Sequence, residues 1–514
     1  MVHILKYKNW VTFFKYANKY LIFVMNFCEL GNLFQPKLIA QLDQKKGGVN
    51  TVVMTNYKCE KNEVSVPSAN GSTVPLVDSA RRDEELGDYD PFAHRKLEHP
   101  TSDLDTLIHL LKGSLGSGIL AMPMAFASAG LFFGLFCTLG IGMICTYCVH
   151  VLVKSAHALC RRNKVPALGY AEVAEAAFSA GPRSVRPWAK FAKAMINLFL
   201  VIDLLGCCCV YVLFVAESIK QVVDNYTEES THQDMKVYMA SLLPLLILMN
   251  LIRNLKYLSP LSMIANILVA VGMGITFYYL IVDMPSLDER PKFVEFTKLP
   301  KFFGTAIFAL EGIGVVMPLE NNMKTPTHFI GCPGVLNTGM SVVVLLYAAT
   351  GFLGYLKYGP ETAASITLNL PKDEILGQSV KLMIAVAVFF TYALQFYVPM
   401  EIIWKSLKSL FVSRPNLSEY AIRISLVCAT VVIAICIPVL DEFISLVGAV
   451  CLSMLGLIFP AIIELVTFYE RPGLGRFNWK LYKSLFLISF GLLGFATGTY
   501  VSIQGIINKL SASS

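Results

Sequence analysis

The sequence has little charge. Of its 514 residues, 15% are Asp, Glu, Lys or Arg, whereas 55% are hydrophobic and the mean hydropathy is +0.57. A soluble protein of this size carries about 25% charged residues. Long stretches with few charges recur from about residue 104 to the end, so the sequence predicts an all-α polytopic membrane protein. The net charge of +7 does not indicate nucleic-acid binding, because the basic residues lie between the apolar segments.

The sequence also lacks the short motifs of common enzymes and metal sites. It contains no GxSxG, no HExxH and no Walker-type lysine, so we do not expect an enzyme. Its 13 cysteines show no paired CxxC spacing, so no metal site is expected. Residues 113–118 match G-x-x-G-x-G, but no βαβ unit surrounds this string, which argues against nucleotide binding.

The charge and hydropathy pattern divides the chain into three regions. Residues 1–103 are expected to form a cytosolic tail, mostly disordered, because residues 48–103 are polar and the apolar run Tyr20–Cys28 is too short to cross a bilayer. Residues 104–505 are expected to form the transmembrane domain, and residues 506–514 a short exterior tail.

Eleven membrane spans are predicted in the transmembrane domain. More Lys and Arg residues lie in the loops that a cytosolic N-terminus places inside than in those it places outside, which favours this orientation. The predicted spans are 104–127, 131–153, 191–219, 236–252, 258–282, 302–320, 331–356, 376–404, 419–438, 441–468 and 484–505.

The first and the sixth of these spans are interrupted by glycine. Each glycine costs a helix interior about 1 kcal/mol relative to alanine, so both helices are expected to unwind locally. A matching pair of interrupted helices, one early in each half of the chain, is the best sequence indicator of a transporter's substrate site. The pattern predicts a 5+5 inverted repeat followed by one extra helix. The glycines are Gly113, Gly116 and Gly118 in the first span, and Gly312 and Gly314 in the sixth.

Several strings resemble those of a known family. They are DYDPFAHRKLEHPTSDLDTLIHLLKG (88–113), HLLKGSLGSGILAMPMAFASAG (109–130), GCCCVYVLFVAESIKQV (206–222) and LEGIGVVMPLENNMK (310–324). They resemble the proton-coupled amino acid transporter branch of the amino acid/auxin permease superfamily. The resemblance implies a leucine-transporter-type fold with eleven spans, a cytosolic N-terminus and uptake of small neutral amino acids with protons. It implies no cofactor other than the coupling proton.

The two breaks are the predicted substrate site. The N-terminus of a half-helix suits the substrate carboxylate, and carbonyl groups freed at a break suit its ammonium group. The alternative is that the small residues only allow close helix packing. The predicted substrate-binding residues are Gly113, Ser114, Gly116, Ser117, Gly118, Glu311, Gly312 and Gly314.

Three ionisable residues are candidates for proton coupling. His109 lies one turn before the first break and stands where the resemblance implies the coupling residue. Histidine as a residue type has an unperturbed pKa of about 6.5. Glu311 at the second break and Asp203 in the third span are carboxyl groups at membrane depth, which are costly and usually functional. The alternatives are a neutral core histidine, and carboxyl groups that only support the helices around them.

These observations predict a secondary active transporter that moves small neutral amino acids together with protons. Two alternatives remain: an amino-acid sensor that signals through its cytosolic tail, and a sodium-coupled transporter on the same fold. The tail contains Tyr89-Asp90-Pro91-Phe92, which fits a Tyr-x-x-bulky-apolar sorting pattern for cytosolic partners. The location is expected to be the plasma membrane or a lysosomal or late endosomal membrane.

We predict that Asn225 is the only glycosylated asparagine. It begins the sequon Asn225-Tyr226-Thr227 in an exterior loop, whereas the predicted topology places the sequons at Asn70 and Asn416 in the cytosol. Enzymatic deglycosylation should shift the wild type and the control Asn416→Gln on a gel, and leave Asn225→Gln unchanged. A shift that persists in Asn225→Gln would contradict the topology.

Overall fold

The computed structural model describes residues 89–513 except 96, 98, 99, 254, 311, 332, 333, 412, 413, 471 and 472. Most of the predicted N-terminal tail therefore lies outside the described residues. The described part of the chain is helical, with one isolated β-bridge between Thr101 and Met323. The main helices are α1 (Asp103–Ser114), α2 (Gly118–Ala129), α3 (Leu131–Asn163), α4 (Tyr170–Ala180), α5 (Ala189–Tyr226), α6 (Met235–Asn250), α7 (Leu255–Ile281), α8 (Leu299–Ala309), α9 (Ile313–Asn321), α10 (Val335–Tyr358), α11 (Ile375–Leu407), α12 (Pro415–Cys436), α13 (Leu440–Val447), α14 (Phe459–Phe468) and α15 (Trp479–Ser513).

The prediction of an all-α, multi-pass membrane protein is confirmed. Within the described residues, nine helices are long and apolar enough to cross a membrane, and the bent pair α1 and α2 makes a tenth. The segment predicted as the fourth span is α6, which has only 16 residues. That length is roughly 24 Å, shorter than the hydrocarbon core of about 30 Å. The count of eleven spans therefore stays a prediction.

The ends of the transmembrane region differ from the predicted bounds for local reasons. Helix α1 begins after Ser102, whose Oγ accepts a hydrogen bond from the Asp105 amide, while the Asp105 carboxylate accepts one from the Ser102 amide. This capping box satisfies amide groups that have no partner within the helix. At the other end, α15 continues to Ser513, so most of the predicted exterior tail 506–514 extends the last helix.

The helices pack in two groups. In one group α2 lies against α8 and α10, α1 lies against α9 and α10, and α3 packs on α10. In the other, α11 packs on α5 and α7, and α12 packs on α5 and α6. The predicted first, second, sixth and seventh spans thus form one packed unit, and the third, fourth, fifth, eighth and ninth form another.

The end of the predicted tail is fastened to the first group by a buried ion pair. Arg95 Nη2 lies 3.1 Å from Glu320 Oε1 and 3.2 Å from Glu320 Oε2, and His157 Nε2 lies 2.8 Å from Oε1. The Glu320 side chain is fully buried and that of Arg95 is 4% exposed. Arg95 also donates to the carbonyl oxygen of Pro166. The predicted orientation places these contacts at the cytosolic side, and we call Arg95, His157 and Glu320 the cytosolic clamp.

A second set of contacts attaches the residues that follow Arg95 along the chain. The Thr101 amide donates to the Asn322 carbonyl and the Lys324 amide donates to the Thr101 carbonyl, each at 2.9 Å. Asp103 Oδ2 lies 2.8 Å from His328 Nδ1. The residues just before α1 are therefore joined to the end of α9 and the loop that follows it.

Removal of the arginine of the cytosolic clamp should destabilise the fold. Arg95→Ala leaves a buried carboxylate with only His157 beside it, and breaking a buried pair in this way costs about 3–5 kcal/mol. Its melting temperature in detergent should fall well below that of Arg161→Ala, a matched control whose exposed guanidinium lies 6.0 Å from the Phe92 ring centroid. Equal melting of the two variants would show that the clamp adds nothing to stability.

Candidate functional site

Both predicted helix breaks are present. The first lies at residues 115–117, between α1 and α2, and the two half-helices are bent by 54°. The second lies between α8, which ends at Ala309, and α9, which begins at Ile313. Glu311, predicted to lie at this second break, is outside the described residues. The chain therefore has two interrupted helices, as its glycines indicated.

The glycines occupy two kinds of position at the breaks. Gly116 and Gly312 lie within the breaks, whereas Gly113, Gly118 and Gly314 lie in the last or first turn of the half-helices beside them. A β-carbon on Gly118 would lie 2.6 Å from Ala309 Cα, and one on Gly113 would lie 3.0 Å from Val315 Cγ2. These two glycines lack a side chain where α2 meets α8 and where α1 meets α9. They allow the broken helices to approach each other closely.

The two breaks face each other at Ser114 and Gly312. A β-carbon on Gly312 would lie 2.8 Å from Ser114 Oγ, and Ser114 is 2% exposed. The Ser114 carbonyl, at the end of α1, accepts a hydrogen bond of 2.6 Å from the Tyr347 hydroxyl. Ser114 Oγ is buried with no hydrogen-bond partner among the described residues. A buried hydroxyl without a partner is costly, so this atom is suited to a ligand's polar group.

Free space lies next to this pair. Gly116 is exposed, and apart from Gly116 itself and its two chain neighbours no residue has an atom within 4 Å of the position that its β-carbon would take. Two helix N-termini, those of α2 and α9, and two C-termini, those of α1 and α8, meet around the same point. N-termini carry partial positive charge and C-termini partial negative charge. The arrangement can bind a molecule that carries both an anionic and a cationic group, such as an amino acid zwitterion.

The site is covered on one side more than on the other. Every residue of α2 except Ala127 is buried. On α1, by contrast, His109, Lys112, Gly113 and Gly116 are exposed along one face. The breaks are therefore covered on the side of α2 and exposed along one face of α1, which the predicted orientation places towards the cytosol.

The structure places Asp203 near the second break, and His109 on the uncovered face. Asp203 is fully buried in α5. One turn before it, Leu200 Cδ2 lies 4.0 Å from the position of a Gly314 β-carbon, and one turn after it Gly206 approaches Val447 of α13. Asp203 therefore lies on the face of α5 that is turned towards α9 and α13, while His109 is exposed one turn before Gly113.

One element of the site region was missed by the sequence reasoning. Residues Gly448–Ile458, between α13 and α14, form a π-helix that packs on α5 and α8. The Tyr170 hydroxyl, from α4, donates to the carbonyl of Leu455 in this segment. Ser453 Oγ is buried there without a hydrogen-bond partner among the described residues. Such helices are rare and frequently occur at functional sites, but no glycine or proline pattern distinguished this one.

Comparison with known proteins gives the family. The chain is 47% identical over 424 residues to "Proton-coupled amino acid transporter-like protein pathetic" of Drosophila melanogaster, which covers 82% of this chain and 89% of that protein. It is 26% identical to "Probable amino acid transporter skat-1" of Caenorhabditis elegans over 79% of this chain and 90% of that protein. Among solved structures, the inward-facing conformation of Mhp1 aligns at 11% identity with a TM-score of 0.49, over 82% of this chain and 92% of that one. The profile of the family described as "Transmembrane amino acid transporter protein" matches residues 99–504. Because that match spans most of the chain, the protein belongs to this family of multi-pass amino acid transporters.

Proposed function

We propose that the protein is a symporter that carries small neutral amino acids together with protons. The observation that carries this proposal is the meeting of two broken helices at Ser114 and Gly312, next to open space at Gly116. The name of the Drosophila relative supports proton coupling. The proposal includes eleven spans arranged as a leucine-transporter-type 5+5 inverted repeat with one extra helix, of which α15 is the last.

The helix ends account for binding of the amino acid backbone. The substrate carboxylate takes the N-termini of α2 and α9, and the ammonium group takes carbonyls at the ends of α1 and α8. Ser114 Oγ, which lacks a partner, supplies a further polar contact. The substrate's own two charges are thereby neutralised by backbone groups, so a side chain without charge is favoured. Gly118 against Ala309 closes the exterior side tightly, which favours a small substrate.

The two packed groups of helices supply the means of transport. One face of α1 is exposed beside the breaks, and in the proposed orientation that face lies towards the cytosol. A change in the position of the group that contains α1, α2, α8 and α9, relative to α5 and α11, would cover that face and uncover the exterior side. Alternating access of this kind exposes one fixed site to the two sides in turn.

The site also bears on the alternative of an amino-acid sensor. The contacts of Thr101 and of the cytosolic clamp join the tail to the end of α9, whose first residues border the second break. A substrate that moves α9 would therefore move the attachment of the tail. Signalling through the tail requires binding without flux, whereas transport requires flux.

The test is uptake by purified protein in liposomes under an imposed pH gradient, with a panel of labelled amino acids. We expect small neutral amino acids to accumulate inside when the exterior is acidic, with or without sodium. Accumulation that depends on a sodium gradient would identify the sodium-coupled alternative. Tight binding without flux would identify the sensor. The test applies whether the protein lies in the plasma membrane or in a lysosomal or late endosomal membrane.

The role of the first break can be tested at Gly116. Because no residue other than its chain neighbours has an atom within 4 Å of its β-carbon position, Gly116→Leu should fold and reach the membrane, yet fill the space beside Ser114. We expect uptake to fall at least about 100-fold, the loss expected when about 3 kcal/mol of binding is removed. Gly274→Leu is the matched control, since its β-carbon position on α7 is also free within 4 Å. Normal uptake by Gly116→Leu would remove the first break from the site.

The proton-coupling residues can be separated by two kinds of assay. His109→Ala should lose accumulation driven by a pH gradient but keep exchange of substrate at equal pH, because exchange moves no net proton. Glu311→Gln should lose both, because it alters the binding site itself. If His109→Ala still concentrates substrate when driven by pH, the coupling role lies elsewhere, with Glu311 and then Asp203 as the next candidates.

A further inference from the structure

A cluster of five ionisable side chains lies at the end of the molecule opposite to the cytosolic clamp. We call it the exterior ion cluster. It joins α8, which carries Lys301 and ends at the second break, to the start of α13 and the end of α15. Its members are Glu217, Lys301, Asp441, Glu442 and Lys509.

Four of the five side chains are linked to one another by ion pairs. Lys301 Nζ lies 2.8 Å from Asp441 Oδ2 and 2.6 Å from Glu442 Oε1. Lys509 Nζ pairs with the same two carboxylates, at 3.4 Å from Glu442 Oε1. Two ammonium groups therefore balance two carboxylates.

The fifth member, Glu217, takes no part in these pairs. It lines a cavity of about 370 Å³ together with Asp441 and Lys509. The other described residues around that cavity are apolar: Met235 from α6, Ala364, Pro438, Val439, Leu440 and Ala512. Within this lining the cation is Lys509, which already pairs with Asp441 and Glu442. Glu217 thus lines the same cavity as a second carboxylate, that of Asp441, and among the described residues it forms no ion pair of its own.

A second observation shows that the cluster has an unused acceptor. Glu442 is 5% exposed, and its Oε2 has no hydrogen-bond partner among the described residues. With all five groups ionised, the cluster holds one negative charge more than positive charge, and the side chains of Lys301, Asp441 and Glu442 are mostly buried. Like charges that share a site favour uptake of a proton by one of them. A single proton neutralises the excess.

We infer that the exterior ion cluster is a proton-binding site, with Glu217 as the group that takes up the proton from the exterior side. This inference rests on the proposed proton-coupled transport and adds a named proton acceptor to it. Glu217 takes the proton rather than Glu442, because Glu442 pairs with two ammonium groups, whereas Glu217 forms no ion pair among the described residues. The cavity beside Glu217 supplies room for water at the acceptor.

The position of the cluster connects the proton to the substrate site. Lys301 lies on the half-helix α8, which ends at Ala309 beside Gly118. When Glu217 is ionised, its charge competes with Asp441 and Glu442 for Lys509. When Glu217 is protonated, this competition for Lys509 is removed. The electrostatic interactions of Asp441 and Glu442, and through them those of Lys301, therefore depend on whether Glu217 is protonated.

The test is exchange of labelled amino acid at equal pH on both sides of liposomes, over a series from about pH 5 to about pH 8, which brackets a crowded carboxyl group. Wild-type exchange should fall by up to about tenfold per pH unit above the midpoint. Glu217→Gln has the shape and neutrality of the protonated acid, so its exchange should stay at the acid-side level throughout. Glu217→Asp should keep a pH-dependent profile, and the exposed control Glu229→Gln should match the wild type.

Thermal unfolding of the same variants provides the check on folding. Glu217→Gln should melt no lower than the wild type, because it removes a repulsion and no ion pair. A wild-type pH profile in Glu217→Gln would overturn the inference, and so would loss of exchange at every pH in this variant. If the wild type itself exchanges amino acid at no pH, the proposed transport fails instead, and the two failures are thereby distinguished.

Discussion

Two half-helices of this chain meet where Gly118 faces Ala309, at a distance that leaves no room for a β-carbon. The rest of the site depends on that contact. It brings the end of α1 to the break between α8 and α9, so that Ser114 faces Gly312 and the Ser114 carbonyl reaches the Tyr347 hydroxyl. Four helix termini then surround one space. A larger residue at either contact would separate the termini, and their partial charges would no longer act on the same ligand.

Charge holds the second broken helix at both of its ends. Near its start, Lys301 of α8 pairs with Asp441 and Glu442, and near its end Glu320 of α9 pairs with Arg95 and His157. The break lies between these two attachments. Buried ion pairs are costly to form and costlier to leave half-made, so each has few stable arrangements. A helix held in this way can change its position when one of the attachments changes its charge.

The sequence was sufficient to predict the class of fold and the places where the helices break, because hydropathy and glycine act locally. It did not give the partners of Gly113 and Gly118, which closely approach Val315 and Ala309, because such contacts depend on packing between distant segments. The Arg95–Glu320 pair and the Glu217 cavity were missed for the same reason. The π-helix Gly448–Ile458 was missed because its residues are those of an ordinary apolar helix.

The central claim is that the space between the two breaks holds the amino acid. An experimental structure of the full chain, determined with and without a saturating small neutral amino acid, tests it most directly. The account predicts added density beside Gly116, with the carboxylate at the N-termini of α2 and α9 and a polar contact to Ser114. Density at another place, with the space beside Gly116 unchanged, would contradict it.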